Sequence, residues 1–308
     1  MREKDVHAIT GIAYSGKYIA RALMESDDQT RIRVLTGHPD RPNPFGRNVE
    51  IVPFHFDNPH KLVADLRGVK TLFNTYWVRF SRGDVSFGQA VANVQNLIRA
   101  AAEAGVERFV HISITNPSLD SPFYYFKGKA VMEKTLIDSG LSYAILRPTV
   151  LFGKEDILIN NIAWLLRRFP VYAIFGDGEY RIQPSYVGDV AKLAVELARS
   201  SENIVCNAVG PETYSFRGLV RLIQNRVASR AKIVHVKPTT GFLLSKALNF
   251  VTRDVLITRE EIYALMADTL SAHDKPRCAT SFSLWSEEHA NSLGIRYASE
   301  LDRHYRMS

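Results

Sequence analysis

The chain has little cysteine and no apolar run long enough to cross a membrane. Its 308 residues include two cysteines, Cys206 and Cys278, whose spacing fits neither a disulfide framework nor a metal site. This usage is typical of a reducing compartment, so we expect a cytoplasmic protein. The apolar stretch GFLLSKALNFV at 241–251 is too short to span a bilayer and contains Lys246. The first ten residues, MREKDVHAIT, are charged and then strand-like, so no secretory signal is expected.

The excess of positive charge does not identify a partner. The chain has 39 Lys+Arg and 32 Asp+Glu, a formal net charge of +7. Residues 215–308 contain 14 of the basic and 9 of the acidic residues, an excess of five. Contact with nucleic acid or an anionic membrane is one interpretation. Because the basic residues are scattered, we prefer a solvated surface or a lobe for an anionic substrate, and we do not expect nucleic-acid binding.

The first half of the chain alternates short apolar runs with segments of helical periodicity. Strands are expected at Asp5–Thr10, Ile32–Thr36, Val49–Phe54, Val69–Asn74, Arg108–Ser113 and Leu141–Leu146. Helices are expected at Ser15–Met24, near Leu62–Leu66 and at Gln89–Ala104, which is followed by Gly105. This alternation predicts an α/β fold, a doubly wound parallel sheet with helices on both faces.

The second half has a less regular pattern. A short strand leading into a helix is expected at Tyr186–Arg199, a helix at Ser215–Val227, a strand at Lys232–Val236, and helices over 238–308 with breaks near Pro276 and Gly294. We therefore expect residues 1–150 to form the sheet domain, with a segment near 180–200 returning to it. Residues 151–308 are expected to form a smaller, mainly helical substrate-binding cap.

A glycine-bearing turn follows the first predicted strand, in the stretch AITGIAYSGKY at 8–18. Glycines at such a turn let backbone amides surround a phosphate at a helix N-terminus. The spacing Gly11-x4-Gly16-Lys17 is close to a triphosphate loop, but Tyr18 stands where Ser or Thr would meet Mg²⁺. No later strand ends in an aspartate placed to hold that metal, and we expect no metal site. A dinucleotide loop is the better interpretation.

That dinucleotide loop lacks its middle glycine and is one residue short. Gly11 and Gly16 would be its first and third glycines, and Ala13 or Tyr14 would lie where the backbone approaches the pyrophosphate. A Cβ there is expected to displace the phosphates or change the turn. Ser15 is expected to cap the following helix and to offer its hydroxyl to phosphate.

A second informative stretch contains Tyr125 and Lys129. On a helix these residues share a face. A phenol is a poor acid–base group at pH 7, and a neighbouring lysine favours the phenolate. Ser113, which ends the fifth predicted strand, can hold the substrate oxygen. The pair alone is weak evidence, because tyrosine and lysine at this spacing are common surface neighbours.

Several motifs in the expected order resemble those of extended or atypical short-chain dehydrogenases/reductases. They are NVQNLIRAA (93–101), the Tyr125–Lys129 pair, LRPTVLFG (146–153), GDG (176–178), QPSYVGDVA (183–191) and GPET (210–213). The chain is most similar to the branch with NmrA-like proteins and the complex I accessory subunit of this fold. The resemblance implies a Rossmann domain with bound dinucleotide, a small-molecule substrate, and an assembly that can be a homodimer.

The resemblance also implies roles for individual residues. Tyr125 is the expected acid–base, Lys129 its partner and ribose contact, and Ser113 the donor to the substrate oxygen. The expected dinucleotide contacts are Gly11, Tyr14, Ser15, Gly16, Thr36, His38, Asp57, Asn74, Lys129 and Pro148. Tyr76, Trp77 and Asn116 are expected beside the substrate, although core packing is an equal alternative for the two aromatic residues, and Asp57 can equally be a plain helix-start residue.

The residues after the second strand favour NADP(H) over NAD(H). An acidic residue at the end of this strand would bind the ribose 2′-hydroxyl of NAD, whereas a basic neighbour suits the 2′-phosphate of NADP. The sequence VLTGHPDR (34–41) has no carboxylate directly after the strand. Thr36, His38 and Arg41 suit a phosphate, while Asp40 weakens the preference.

We therefore expect an NAD(P)-dependent oxidoreductase or epimerase-like enzyme acting on a small carbonyl- or hydroxyl-bearing substrate. The alternative is a non-catalytic NAD(P)-binding regulatory or assembly protein. The shortened glycine loop favours the alternative, and the intact Tyr125–Lys129 pair opposes it.

Overall fold

The computed structural model describes residues 5–27, 29–83 and 85–304. The chain divides into two compact units. The first contains the residues up to Arg147 together with Val190–Cys206, and the second contains Pro148–Asp189 and the residues from Asn207 onward. For comparison, the sequence suggested a boundary at residue 150 and a return to the first domain near 180–200.

Among the described residues, seven strands form the central sheet, in the order β3-β2-β1-β4-β5-β6-β11. The strands are β1 Val6–Thr10, β2 Arg31–Thr36, β3 Val49–Pro53, β4 Val69–Asn74, β5 Arg108–Ile112, β6 Tyr143–Pro148 and β11 Ile204–Ala208. Strands β1 to β6 pair in parallel. This order places the carboxyl ends of neighbouring strands at one edge, as in dinucleotide-binding sheets. The predicted Rossmann architecture is confirmed.

Helices cover both faces of this sheet, as the sequence predicted. They are α1 Ser15–Ser26, α2 Pro59–Leu66, α3 Phe87–Ala104, α4 Tyr124–Asp138 and α6 Val187–Ala198, with a short 3-10 turn at Gly46–Asn48. Ala8 of β1 packs in a core with residues of α2, α3 and α4. The next residue, Ile9, faces the opposite side, because side chains alternate along a strand. There α1 lies against it, since a Cβ on Gly16 would be 3.1 Å from Ile9 Cγ2.

The predicted strands of the first unit are displaced by at most two residues at either end. The fourth strand has the predicted bounds, whereas β6 begins at Tyr143 rather than Leu141. Helix α3 begins two residues before its predicted start, where the Ser86 side chain accepts a hydrogen bond from the Gln89 amide. Gly105 ends the helix with φ of 76°, a left-handed conformation that glycine adopts without strain.

The second unit has its own core and combines short strand pairs with helices. Its strands are β7 Leu151–Phe152, β8 Val171–Phe175, β9 Arg181–Ile182, β10 Ser185–Tyr186, β12 Tyr214–Ser215 and β13 Lys232–Val236. Its helices are α5 Leu158–Arg168, α7 Phe216–Arg226, α8 Pro238–Thr252, α9 Arg259–Met266, α10 Phe282–Glu288 and α11 Glu300–His304. Strand β8 pairs with β13 in parallel. The core is aromatic and includes Phe152, Phe216, Phe282 and Trp285.

Helix α5 and strand β8 were not predicted from the sequence. Two adjacent asparagines interrupt the apolar pattern of α5, yet both are buried. Asn160 Nδ2 donates to Asp156 Oδ2 at 2.9 Å, and Asn161 exchanges hydrogen bonds with the backbone of Ala298. The Gly294 amide also donates to Asn160 Oδ1, so contacts far apart in the chain help to satisfy side chains that would favour a turn when considered locally.

We predict opposite effects of two Gly→Ala substitutions in the first unit. A Cβ on Gly16 would lie 1.9 Å from the Gly11 carbonyl oxygen, which is backbone and cannot rotate away. Gly16→Ala should therefore lower the free energy of unfolding by about 1–3 kcal/mol. Gly88, in helix α3, meets only Ser86 Oγ at 3.8 Å, so Gly88→Ala should raise that free energy by about 0.5–1 kcal/mol. Urea unfolding of both variants tests this, and equal effects would contradict it.

Candidate functional site

The turn between β1 and α1 retains the first and third glycines of a dinucleotide loop. Gly11 has φ of 80°, and no atom lies within 4 Å of the position that a Cβ on it would take. Its amide donates to the Leu35 carbonyl at 2.7 Å, which ties the turn to β2. Gly16 provides the close contact between helix and strand. The space above Gly11 and the amides at the start of α1 fit a phosphate group.

The predicted capping role of Ser15 is wrong. Helix α1 starts at Ser15 itself, and Tyr14 occupies the N-cap position with φ of −140° and ψ of −90° and no side-chain cap hydrogen bond. Because the turn is one residue short, the helix begins sooner after Gly11 and Ser15 already lies in its first turn. The Tyr14 ring packs edge-on against Tyr18 at 5.8 Å.

Thr36 ends β2, where the adenosine ribose binds in dinucleotide folds. Its hydroxyl accepts a hydrogen bond from the His38 amide at 3.1 Å. Thr36 and His38 are both half-buried, and no carboxylate ends the strand. Asp57 is exposed after β3, and the neighbouring Asn58 caps α2 by accepting from the Lys61 amide. The residue that caps α2 is therefore Asn58 and not Asp57.

A line of hydrogen bonds crosses three adjacent strands at the carboxyl edge of the sheet. Thr10 is paired with Asn74, and Asn74 with His111, in the strand register. The Thr10 hydroxyl donates to Asn74 Oδ1 at 2.8 Å, which leaves the Asn74 amide nitrogen facing His111 Nδ1 at 3.0 Å. All three side chains are buried. This arrangement fixes the orientation of Asn74 and makes His111 Nδ1 an acceptor.

His111 is a site residue that the sequence analysis missed. Burial lowers its pKa well below the ordinary 6.5, and the nearby charge of Lys129 lowers it further. The ring is therefore neutral at pH 7 and carries its proton on Nε2. That buried nitrogen has no hydrogen-bond partner within the described part of the chain. The available signal was a histidine inside the apolar run FVHI, two residues before Ser113.

Ser113 lies directly after β5, and its amide donates to the Leu146 carbonyl at 2.7 Å. The side chain is buried, and among residues 5–27, 29–83 and 85–304 its hydroxyl has no hydrogen-bond partner. Buried hydroxyls are normally hydrogen-bonded. The unsatisfied hydroxyl and the His111 imidazole thus lie two residues apart, on the same side of one strand.

Helix α4 presents Tyr125 and Lys129 one turn apart. Lys129 is buried, and its Nζ donates to the Ile112 carbonyl at 2.9 Å, next to Ser113. Burial lowers the pKa of Lys129 to about 7, while the carboxylate of Glu133 opposes this. Glu133 is held in turn by Arg147, whose Nε lies 3.0 and 3.1 Å from its two oxygens. A lysine with this pKa can exchange a proton near neutral pH.

Aromatic rings enclose this part of α4. The Trp77 ring lies edge-on to Tyr125 at 5.6 Å and stacks with Phe87 at 5.8 Å. Lys129 Nζ is 5.1 Å from the Trp77 ring centroid. The approach requires Gly128, because a Cβ there would lie 2.6 Å from Trp77 Cη2. Tyr125 thus has an apolar, aromatic environment.

Comparisons with known proteins agree with this geometry. The family of NAD(P)H-binding proteins matches residues 14–160. Residues 14–160 are therefore an NAD(P)-binding Rossmann-like domain, and the extended short-chain dehydrogenase/reductase type is supported. This family contains oxidoreductases and epimerase-like proteins, and the resemblance inferred from the sequence motifs is confirmed.

Two curated relatives and one solved structure illustrate what the chain is similar to. The chain is 21% identical over 275 residues to the Arabidopsis thaliana protein named NADH dehydrogenase [ubiquinone] 1 alpha subcomplex subunit 9, mitochondrial, covering 83% of this chain and 68% of the relative. It is 32% identical over 164 residues to the Mus musculus protein of that name, covering 53% of this chain and 41% of the relative. The NADPH-bound structure of an NADPH-dependent quinone oxidoreductase from Escherichia coli superimposes with a TM-score of 0.73 at 19% identity, covering 92% and 99% of the two chains. The chain thus spans less than half of the mouse relative.

The remaining predicted site residues of this chain lie at or after the ends of β4, β5 and β6. Tyr76 packs against Phe54 and Phe56, and its hydroxyl accepts from Asn93 Nδ2 at 2.9 Å. Asn116 is exposed with φ of 53°, and Pro148 is the buried last residue of β6. No group of His, Cys, Asp and Glu suited to a metal ion occurs in the described ranges.

We predict that Lys129→Met removes a pH dependence of stability. In the unfolded chain Lys129 has its ordinary pKa of 10.5, whereas in the folded protein the pKa is about 7. Between these values the unfolded chain holds a proton that the folded protein has released, so raising the pH stabilises the fold, by up to about 1.4 kcal/mol per pH unit.

The variant lacks this group, so its stability advantage over the wild type should be largest at pH 7 and below and should shrink towards pH 10. Urea unfolding at pH 6.5, 8 and 9.5 measures the difference. Lys127→Met, an exposed change on the same helix, is the control. A constant difference across this range would contradict the burial of a neutral lysine.

Proposed function

We propose that this protein is an NADP(H)-dependent oxidoreductase that uses Tyr125, Lys129 and Ser113. The observation that carries the proposal is the unsatisfied Ser113 hydroxyl beside the carbonyl to which Lys129 is bonded, with Tyr125 one helical turn away. A buried donor without a partner among the described residues and a lysine with pKa near 7 are groups that a reacting oxygen would use.

The dinucleotide would be held along the carboxyl edge of the sheet. The residues available to it are Gly11, Tyr14, Ser15, Gly16, Thr36, His38, Asp57, Asn74, Lys129 and Pro148. When bound, its nicotinamide supplies or accepts the hydride. NADP(H) is favoured because Thr36, rather than a carboxylate, ends β2 and leaves room for the 2′-phosphate.

In the direction of reduction, the Tyr125 hydroxyl donates a proton to the substrate oxygen, and in oxidation the Tyr125 phenolate receives one. Ser113 Oγ donates a hydrogen bond to the same oxygen. His111 is a positioning residue in this scheme. Its neutral ring, held by Asn74, adds no charge next to Lys129 and therefore avoids a further lowering of the pKa of that amine.

The surroundings of Tyr125 favour a carbonyl or alcohol with a flat or apolar group. Trp77 and Phe87 offer ring faces and edges to such a group. Tyr76 is a weaker candidate for substrate contact, because its hydroxyl is bonded to Asn93.

Three expectations stay predictions: the role of residues 151–308 as the substrate-binding cap, the contact of Asn116 with substrate, and a homodimer. Cys206 and Cys278 are both buried, and a cytoplasmic location stays a prediction.

A second candidate function is that of a non-catalytic NAD(P)-binding assembly or regulatory protein. Lys129 Nζ is already bonded to the Ile112 carbonyl and lies under the Trp77 ring, so a ribose must compete for it. The shortened loop also puts Tyr14 at the start of α1. The relatives named as NADH dehydrogenase subunits support this candidate.

We predict that Tyr125→Phe abolishes turnover but not dinucleotide binding. Loss of the proton donor should lower kcat by about 10²–10⁴-fold, whereas the NADPH affinity should hardly change. NADPH oxidation against quinones and aromatic or aliphatic ketones measures turnover, and tryptophan fluorescence measures binding. Tyr124→Phe is the matched control, because that neighbouring tyrosine is exposed.

The results separate the two candidates. Retained turnover in Tyr125→Phe contradicts the assigned acid–base. Tight NADPH binding by a wild type that reduces none of the carbonyls favours the assembly or regulatory protein. Absence of binding to both NADPH and NADH contradicts both functions.

We also predict that Thr36→Asp reverses the cofactor preference. A carboxylate at the end of β2 would accept from the 2′-hydroxyl of NADH and repel the 2′-phosphate of NADPH. The ratio of the NADPH to the NADH dissociation constant should rise by on the order of tenfold or more. Thr239→Asp, at an exposed position outside the sheet unit, should leave the ratio unchanged. An unchanged ratio in Thr36→Asp would place the ribose elsewhere.

A further inference from the structure

Helix α8, Pro238–Thr252, has mostly small residues on its inward side and mostly large apolar residues on its outward side. The inward side contains Gly241, Ser245, Leu248 and Thr252, spaced three or four residues apart. Gly241 lies against the Phe175 ring, where a Cβ would come within 2.3 Å. Ser245 and Thr252 hydroxyls donate to backbone carbonyls of their own helix. Packing of α8 onto its unit thus uses little of its apolar surface.

The outward side forms a continuous apolar stripe, made of Leu243, Leu244, Ala247, Phe250 and Val251. Phe250 is 89% exposed, Val251 67% and Leu243 66%. At 100° per residue these five positions cover about 120° of the helix circumference. Single exposed apolar residues are normal on protein surfaces, whereas a contiguous stripe marks a contact surface.

Basic residues flank the stripe along the sequence of α8. Lys237 precedes the helix, Lys246 lies beside the stripe, and Arg253 follows the helix, and all three are exposed. The sequence from 237 to 253 contains no Asp or Glu. An apolar face whose own helix carries only positive charges matches a surface with negative headgroups above hydrocarbon.

We propose that α8 docks the protein on an anionic lipid surface, with Leu243, Phe250 and Val251 entering the boundary between headgroups and acyl chains. The uniformly positive charge beside the stripe favours an anionic lipid surface over a protein partner. The contact is a surface association, since no described helix is long and apolar enough to cross a membrane. The proposal does not depend on the oxidoreductase activity.

The test is sedimentation of the full chain with lipid vesicles. The wild type should bind vesicles of phosphatidylcholine mixed with phosphatidylglycerol, bind phosphatidylcholine alone more weakly, and lose affinity as salt is raised. The double variant Leu243→Ser/Phe250→Ser should bind the anionic vesicles about tenfold or more weakly. Lys246→Glu should weaken binding to the anionic vesicles only.

The matched control is Leu284→Ser on helix α10, where the leucine is 65% exposed and lipid binding should not change. Circular dichroism establishes that each variant is folded. Absence of wild-type binding to the anionic vesicles, or equal binding by the double variant, would overturn the proposal. A concentration-dependent dimer in the absence of lipid that the double variant abolishes would also overturn it, and would assign the stripe to self-association.

Discussion

The contact between Gly16 and the Gly11 carbonyl is the constraint on which the sheet unit depends. It fixes where helix α1 leaves β1, and it tolerates no Cβ at Gly16. The same turn begins at Thr10, whose hydroxyl also accepts from the amides of Thr75 and Tyr76. The loop after β4 is thereby tied to the loop after β1. This junction forms although the glycine loop is one residue shorter than a standard dinucleotide loop.

From Thr10 the same hydrogen-bond line leads through Asn74 to His111, whose pKa is lowered by the nearby charge of Lys129 on α4. Desolvation controls the charges there. Burial makes His111 neutral and brings the pKa of Lys129 to about 7, while the ion pair of Glu133 with Arg147 keeps a negative charge one turn from the lysine. Removing such a pair's partner would leave a buried charge unpaired, which is more costly than the pair is stabilising.

The second unit follows a different logic. Its aromatic core is joined to polar side chains that act as backbone caps, such as Glu212, which accepts from the Ser281 and Ser283 hydroxyls at the start of α10. Helix α8 contributes little to that core, and its apolar stripe remains outside. Part of the apolar surface of this unit is therefore buried in the aromatic core and stabilises the fold. The apolar stripe of α8 is exposed and is available for docking.

The sequence by itself determined the sheet, its strand ends and the Tyr125–Lys129 pair, because these depend on local periodicity and fixed spacing. Strands β1 to β6 fall within two residues of their predicted positions for that reason. Tertiary structure alone decided four other features. They are the start of α1 at Ser15, the formation of α5 despite two asparagines, the neutral state of His111, and the exposure of the α8 stripe. Each depends on partners or burial that lie far away in the chain, such as Ala298 for Asn161 or Phe175 for Gly241, and no local pattern encodes them.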